Sequence, residues 1–315
     1  MNNNIRDIKH KNSRWIVVNS PSRADIDFLH DNFKINPHDL DDIIAPSQRS
    51  KIDKYEKYIF LIFLFPVFNR KTREIESSEV DFLLSKECLV TIHRGNLPPL
   101  NDFAARIYKS ASAKEKFMQN GTQDMLAKQL DMLLLYCYPI LDHISVDVNN
   151  IKQQIFTGNE KKMVAQILFI RRNITDTRKI MQSHKATLEK LLKQHSDVEI
   201  IKTHYGIEKK FFYDYENLID YTKETWDQLE SLKEAIEALE ETNESLISDK
   251  LNYVMKVLTL ISVVMLPATF VASLFGMNTE HIPFSGSSYD FWLFSGVTLI
   301  ASVVLIAILW RKKWF

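Results

Sequence analysis

The sequence predicts an α+β domain that is followed by long helices and then by two membrane-spanning helices. Two uncharged apolar runs, 257–275 and 291–310, predict the membrane part, because a helix needs about 20 apolar residues to cross the hydrocarbon core. Runs of strand-forming residues within 1–100 predict a sheet. Between these regions, apolar residues at spacings of three and four predict long helices.

Local residue preferences predict the individual elements. β-Branched and aromatic residues indicate strands, and helical periodicity indicates helices. The predicted strands are 15–19, 58–68, 80–84 and 88–93, with a turn at 85–87, and the predicted helices are 23–33, 123–155 and 161–192. Since no proline or glycine occurs from Glu208 to Leu266, we expect one continuous helix that runs from near Ile207 in the cytosol into the bilayer.

These patterns divide the chain into seven segments. They are an α/β domain (1–100), long helices (101–205), the cytosolic part of a stalk helix (206–256), a first span (257–275), an outer loop (276–290), a second span (291–310) and a basic tail (311–315).

Composition argues against several classes of protein. The 315 residues have a net charge of zero, whereas a nucleic-acid-binding protein usually has a basic excess. Cys88 and Cys137 lie in apolar runs, which indicates buried thiols rather than a disulfide framework. The first 250 residues contain no Gly-rich phosphate loop, GxSxG or HExxH motif, so we expect no enzyme activity. The N-terminal residues lack an apolar signal segment, so we expect the region before the spans to be cytosolic.

Charges flanking the spans predict their orientation. Lys250 and Lys256 precede the first span, and 311–313 after the second span are all basic. The connecting stretch 276–290 has no Lys or Arg and carries Glu280 and Asp290. By the positive-inside tendency, both termini are cytosolic and the loop faces outward, in the cell membrane.

A stripe that carries four hydroxyl groups, here called the polar stripe, follows one face of the first span. Its members are spaced three and four apart: Asn252, Met255, Thr259, Ser262, Leu266, Thr269 and Ser273. The hydroxyl groups either pack helix against helix or line an aqueous pathway, and the spacing does not distinguish these. Because two helices have no closed lumen between them, a pore requires several subunits around an axis. Pro267 lies within the span and predicts a bend.

An acidic run precedes the membrane on the same predicted helix. It comprises Glu224, Asp227, Glu230, Glu234, Glu237, Glu240, Glu241 and Glu244. A solvated helix face is the favoured interpretation for most of them; the alternative is that they attract cations towards a pore.

Short motifs along the whole chain resemble one family. The first span closes on Gly276, Met277 and Asn278, preceded by NYVMKVLT (252–259) and MLPATF (265–270). NPHDLDDI (36–43) and the tail RKKWF (311–315) complete the pattern. Together they resemble the CorA family of Mg²⁺/Co²⁺ transporters.

The resemblance implies a homopentameric funnel for Mg²⁺ and Co²⁺, with antiparallel "willow" helices in 101–205 and a pore lined by the first span. It places Gly276, Met277 and Asn278 in a selectivity filter, with Glu280 at the outer mouth. It makes Asn252, Met255, Leu258, Leu266 and Thr269 pore-lining residues. No ATP site is implied, since the membrane potential drives a divalent cation inward.

The family's regulatory Mg²⁺ site would fall between subunits. Asp42 matches one of its aspartates, and the partner on the stalk helix is either Asp214, by motif, or Asn217, by counting, with Asp220 close by. An ordinary helix-end carboxylate is an equally weighted interpretation of Asp42.

Two departures from the family pattern leave alternatives open. Thr279 and Phe284 stand where the family usually has phenylalanine and glutamate. A related ZntB-like Zn²⁺ transporter, with His281 as a possible zinc-handling group, therefore remains the second hypothesis. A membrane-tethered helical scaffold that conducts no ion is the third.

Overall fold

The computed structural model describes residues 4–45, 47, 49–196, 209–277 and 289–312. The chain forms two compact units, 1–241 and 242–315. The first unit contains one six-stranded sheet in the order β1-β2-β6-β5-β4-β3, in which only the β2–β6 pair is parallel. The strands are β1 (Ile5–His10), β2 (Ser13–Asn19), β3 (Lys51–Lys54), β4 (Ile59–Phe68), β5 (Ile75–Leu84) and β6 (Cys88–His93).

Eight helices precede the long one in the described part of the chain. They are α1 (Arg23–Phe33), α2 (Pro37–Ile44), α3 (Pro98–Lys109), α4 (Ala111–Met118), α5 (Thr122–Leu135), α6 (Cys137–Gln154), α7 (Glu160–Met181) and α8 (His184–Ser196). The long helix α9 (Lys209–Phe275) and the second apolar helix α10 (Asp290–Arg311) follow.

The two faces of the sheet carry different helices. One core contains Ile26 and Leu29 of α1 and Ile43 of α2, packed on residues such as Ile16 and Phe60. The opposite core contains Trp15 and residues of α3, α4, α5, α8 and α9. In it the Trp15 indole N–H donates to Thr91 Oγ1 (3.0 Å), and Thr91 donates to Gln129 Oε1 (2.9 Å). These bonds satisfy the Trp15 N–H, the Thr91 hydroxyl and Gln129 Oε1, whereas Gln129 Nε2 has no hydrogen-bond partner among the described residues.

Helix α2 carries Asp42, the predicted regulatory aspartate, near its C-terminal end, and the sequence pattern did not predict the bounds of this helix. Its N-cap is Asn36, whose Oδ1 accepts from the His38 N–H (3.0 Å), and Pro37 occupies the first helical position. Proline is favoured at that position because its missing N–H would have no partner in any case.

The predicted helical stretch 123–155 is divided in the structure. Helix α5 ends at Leu135 and α6 begins at Cys137. Pro139 explains the division, because it has no N–H to donate to the carbonyl of Leu135 four residues earlier. The predicted stretch 161–192 is likewise divided into α7 and α8. Within 101–196, the described part of this segment, short helices on the sheet come first, and α6 and α7 form the long helical pair.

The long helix is confirmed as one continuous element. It has 67 residues and remains helical through Pro267. At about 1.5 Å per residue it is roughly 100 Å long. Its N-terminal part packs in the first unit through buried residues such as Leu218, Leu229 and Ile236.

Candidate functional site

Two helices in the described part of the chain are long and apolar enough to cross a membrane: α9, through its C-terminal part in the second unit, and α10. They contact each other along one face: the Ser302 hydroxyl donates to the Val264 carbonyl (3.4 Å), and the rings of Phe275 and Phe294 lie 3.6 Å apart between centroids. An open cavity of about 770 Å³ lies between the helices, lined by small residues such as Ala268, Ala272 and Ser295. The predicted hairpin of spans is therefore formed.

The predicted pore-lining residues lie on the side of α9 that faces away from α10. Within 251–277, the half-buried residues of α9 share the α10 side: Leu260, Val263, Val264, Pro267, Val271 and Phe275. At about 100° per residue, Met255, Leu258, Leu266 and Thr269 fall on the opposite half of the helix. Leu258 is 64% exposed and Leu266 67%. Asn252 lies at the edge of this face, and together with Met255 and Thr259 it borders a 210 Å³ cavity that Leu309 of α10 also lines.

The hydroxyl groups of this face present acceptors outward. Thr259 donates to the Met255 carbonyl (2.8 Å), Ser262 to that of Leu258 (3.0 Å) and Thr269 to that of Met265 (3.0 Å). A hydroxyl has one hydrogen and two lone pairs, so a hydroxyl that donates within its own helix still offers lone pairs. Such acceptors suit the outward-pointing hydrogens of the water around a cation.

The outer end of α9 closes on the predicted filter residues. The Gly276 N–H donates to the Ala272 carbonyl (3.0 Å), and the Met277 N–H to that of Leu274 (3.5 Å). A Cβ at Gly276 would lie 3.2 Å from the Ala272 carbonyl oxygen, which favours glycine at this position. Asn278 and Glu280, which were predicted in the filter and at the outer mouth, lie outside the described residues, as does His281.

In the first unit, Asp42 is paired within its own chain. The Lys51 ammonium contacts both Asp42 Oδ2 and Asp53 Oδ2, the latter at 2.8 Å. Burial alone would lower the pKa of Lys51, but hydrogen bonds to Asp42 and Asp53 outweigh it and raise that pKa. Lys51 was not among the predicted site residues; the signal that could have found it is its place beside Asp53 in the short polar segment KIDK of β3.

The predicted partners of Asp42 have other neighbours. Asp214 lies close enough to Asp131 to raise the pKa of that carboxyl, together with the larger effect of burial. Asn217 and Asp220 are exposed on α9. The single chain does not place Asp42 against these residues in any described contact, so a site between subunits stays a prediction. No group of three or more His, Cys, Asp or Glu side chains arranged for a metal occurs among the described residues.

The acidic run on α9 is partly used for packing within the chain. Glu240 accepts from Arg171 (2.9 Å), Glu230 pairs with Arg178, and Glu224 accepts from the Tyr138 hydroxyl (2.9 Å). These three residues therefore hold α9 against α6 and α7 rather than forming a freely solvated face.

A buried acid pair on β5 was missed. Glu79 and Asp81 are two residues apart on β5, so their side chains lie on the same face of the sheet, and both are buried. Glu79 accepts from the backbone N–H of Ser47, whereas Asp81 Oδ1 has no hydrogen-bond partner among the described residues. Burial raises the pKa of both carboxyls. Asp81 within the apolar run 80–84, with Glu79 directly before that run, was the signal that could have revealed the pair.

Comparison with known proteins agrees with this architecture. A model of the CorA-like Mg²⁺ transporter protein family matches residues 10–313. The chain belongs to the CorA family. The cobalt/magnesium transport protein CorA of Thermotoga maritima is 25% identical over 302 residues, covering 95% of this chain and 83% of that protein. The putative metal ion transporter YfjQ of Bacillus subtilis is 24% identical over 96% of this chain and 89% of its own length.

A solved CorA structure has the same fold. The complete structure of the CorA magnesium transporter from Methanocaldococcus jannaschii covers 98% of this chain and 94% of its own, with a TM-score of 0.80 and 18% identity. A ZntB cytoplasmic domain from Vibrio parahaemolyticus matches with a TM-score of 0.55 and 12% identity over 76% of this chain. At these identities the structures establish the fold alone: an α+β unit, a long helix and two C-terminal apolar helices, as predicted for a CorA membrane transporter.

Proposed function

We propose that this protein conducts Mg²⁺, and also Co²⁺, through a pore surrounded by five copies of α9. The observation that carries the proposal is the polar stripe on the α9 face that α10 leaves uncovered. Membership of the CorA family and relatives named as cobalt/magnesium transporters support it. Both termini would be cytosolic, as the basic flanks of the spans indicate.

The chemistry of the stripe fits a hydrated ion. Mg²⁺ loses its water reluctantly and prefers oxygen ligands. Hydroxyl lone pairs from Thr259, Ser262 and Thr269 would accept hydrogen bonds from the ion's water without removing it. Met255 and Leu266 would form apolar constrictions that can close by dewetting. An inside-negative potential contributes roughly 4.6 kcal/mol per 100 mV for a doubly charged ion.

The proposal also includes an outer selectivity filter and a regulatory Mg²⁺ site, the sensor. Gly276, Met277 and Asn278 would form the outer filter, where amide oxygens accept from the hydrated ion, with Glu280 attracting it. Cytosolic Mg²⁺ would bind between Asp42 and either Asp214 or Asn217 of a neighbouring copy. Loss of that ion would leave like charges opposed and loosen the closed ring.

An uptake assay tests the proposal. Cells starved of Mg²⁺ express the parent, Asn278→Ala, or the loop control Ser287→Ala at matched membrane levels. We expect the control to retain Mg²⁺ uptake and Asn278→Ala to lose tenfold or more, about 1.4 kcal/mol of ion stabilisation. Equal uptake by Asn278→Ala and the parent would refute the filter role.

Zn²⁺ is the competing cargo, and the same cells distinguish it. Accumulation of radioactive Zn²⁺ that depends on a proton gradient and is unaffected by excess Mg²⁺ would favour the zinc hypothesis. No flux of either metal, together with normal membrane insertion, would favour a scaffold.

A further inference from the structure

Lys51 occupies a position between two carboxylates at the end of α2. Its ammonium contacts Asp42 Oδ2 and Asp53 Oδ2, and its Nζ lies 5.5 Å from the centroid of the Phe60 ring. Asp42 extends from α2, whereas Lys51 and Asp53 both belong to β3. All three side chains are about one-third to two-fifths exposed. The ammonium therefore bridges the two elements at a surface that solvent cations can reach.

The surroundings of this bridge are predominantly acidic. Glu79 and Asp81 are close enough to Asp42 for its charge to raise the pKa of both. Arg94 is the other nearby cation, and its Nη2 donates to the carbonyls of Ile43 (3.1 Å) and Ile44 (3.0 Å) at the end of α2. Lys51 is thus the cation that directly contacts the Asp42 carboxylate.

We infer that Lys51 is a resident cation that competes with divalent metal for Asp42 and thereby sets the Mg²⁺ concentration at which the site fills. The inference rests on the proposed function, in which Asp42 binds regulatory Mg²⁺. It identifies a side chain of the same subunit that determines the affinity of that site.

The competition follows from charge and geometry. A carboxylate has two oxygens, and Lys51 uses Oδ2 of Asp42, which leaves Oδ1 for a metal or its water. A positive charge within a few ångströms also opposes the binding of a second cation, although solvent screens this repulsion at a partly exposed site. Binding of Mg²⁺ is therefore weaker than it would be if the ammonium were absent.

Replacement of Lys51 by an uncharged residue tests the inference. The full-length protein in detergent is heated over a series of Mg²⁺ concentrations, and the concentration that gives half of the metal-induced stabilisation is measured. For Lys51→Met we expect this midpoint Mg²⁺ concentration to fall by about tenfold, because the dissociation constant for Mg²⁺ falls by the same factor. Lys51→Arg keeps the charge and Lys54→Met removes an exposed lysine from the same strand; both should keep the parent midpoint.

Each outcome decides between alternatives. An unchanged midpoint in Lys51→Met would overturn the inference and leave regulatory Mg²⁺ binding intact, provided that Asp42→Asn abolishes the stabilisation. A Lys51→Met protein that does not fold even in saturating Mg²⁺ would also overturn it, because the metal would then be unable to replace the ammonium. If Mg²⁺ does not stabilise the parent, both the sensor and the inference fail, while the uptake assay still decides conduction.

Discussion

At the scale of single residues, Asp81 shows how burial changes a carboxyl group. Its side chain is 3% exposed, and burial and the neighbouring Glu79 raise its pKa well above 3.8. The folded state therefore holds the Asp81 proton more tightly than the unfolded state does. Its contribution to stability is fully present below the unfolded pKa and is lost as the pH rises through the folded pKa.

The variant Asp81→Asn should remove this pH dependence. A neutral amide of the same size cannot ionise inside the sheet, and each pKa unit removed corresponds to about 1.4 kcal/mol. Between about pH 5 and about pH 8 we expect a flatter melting-temperature profile than that of the parent, with higher stability at the upper end. Asp27→Asn, at an exposed position of α1, is the control. Parallel profiles for Asp81→Asn and the parent would contradict the assignment.

At the scale of elements, the sequence predicted the helices and strands whose residue preferences and caps agree with how they pack. Helix 23–33 is confirmed residue for residue, because the Ser22–Asp25 capping box fixes its start. Both apolar spans are helical: the first lies within α9, which ends at Phe275, and the second lies within α10 (Asp290–Arg311). β1 and β3 were not predicted, because IRDIKH and KIDK are edge strands in which charged and polar residues outnumber apolar ones, so neither shows a strong strand signal.

The contacts of Arg178 that attach α7 to α9 predict how much stability its loss would cost. The Arg178 guanidinium lies 4.9 Å from the centroid of the Trp226 ring and pairs with Glu230, and its side chain is 20% exposed. We expect Arg178→Met to cost about 1–2 kcal/mol of stability, through lost cation–π and ionic contacts. Arg172→Met is the control, since Arg172 is 63% exposed and should cost less than about 0.5 kcal/mol. Equal losses of stability for Arg178→Met and Arg172→Met in melting curves would contradict a specific role of Arg178 in attaching α7 to α9.

At the scale of the whole molecule, the sequence identifies the polar face of α9 but not what covers it. Spacing alone placed Leu266 and Thr269 on one face, and it left helix packing and a wet pathway as equal interpretations. Only the position of α10 shows that its contacts use the other half of the helix, through residues such as Val264 and Phe275. The partner of Asp42 cannot be read from one chain, because that site would require a second copy.

Cross-linking in the membrane tests whether copies of α9 surround an axis. Leu266→Cys places a thiol on the polar stripe, whereas Ile261→Cys places one on an exposed face that neither the stripe nor α10 occupies. If five stripes converge, thiols at 266 lie close to their counterparts and oxidation produces covalent dimers, while thiols at 261 stay monomeric. The native cysteines should not interfere, because burial raises the pKa of Cys88 and of Cys137 to about 12 and keeps both as unreactive thiols. Equal cross-linking at both positions, or none at 266, would mean that the stripe does not face an axis, and a pore lined by α9 would have to be abandoned.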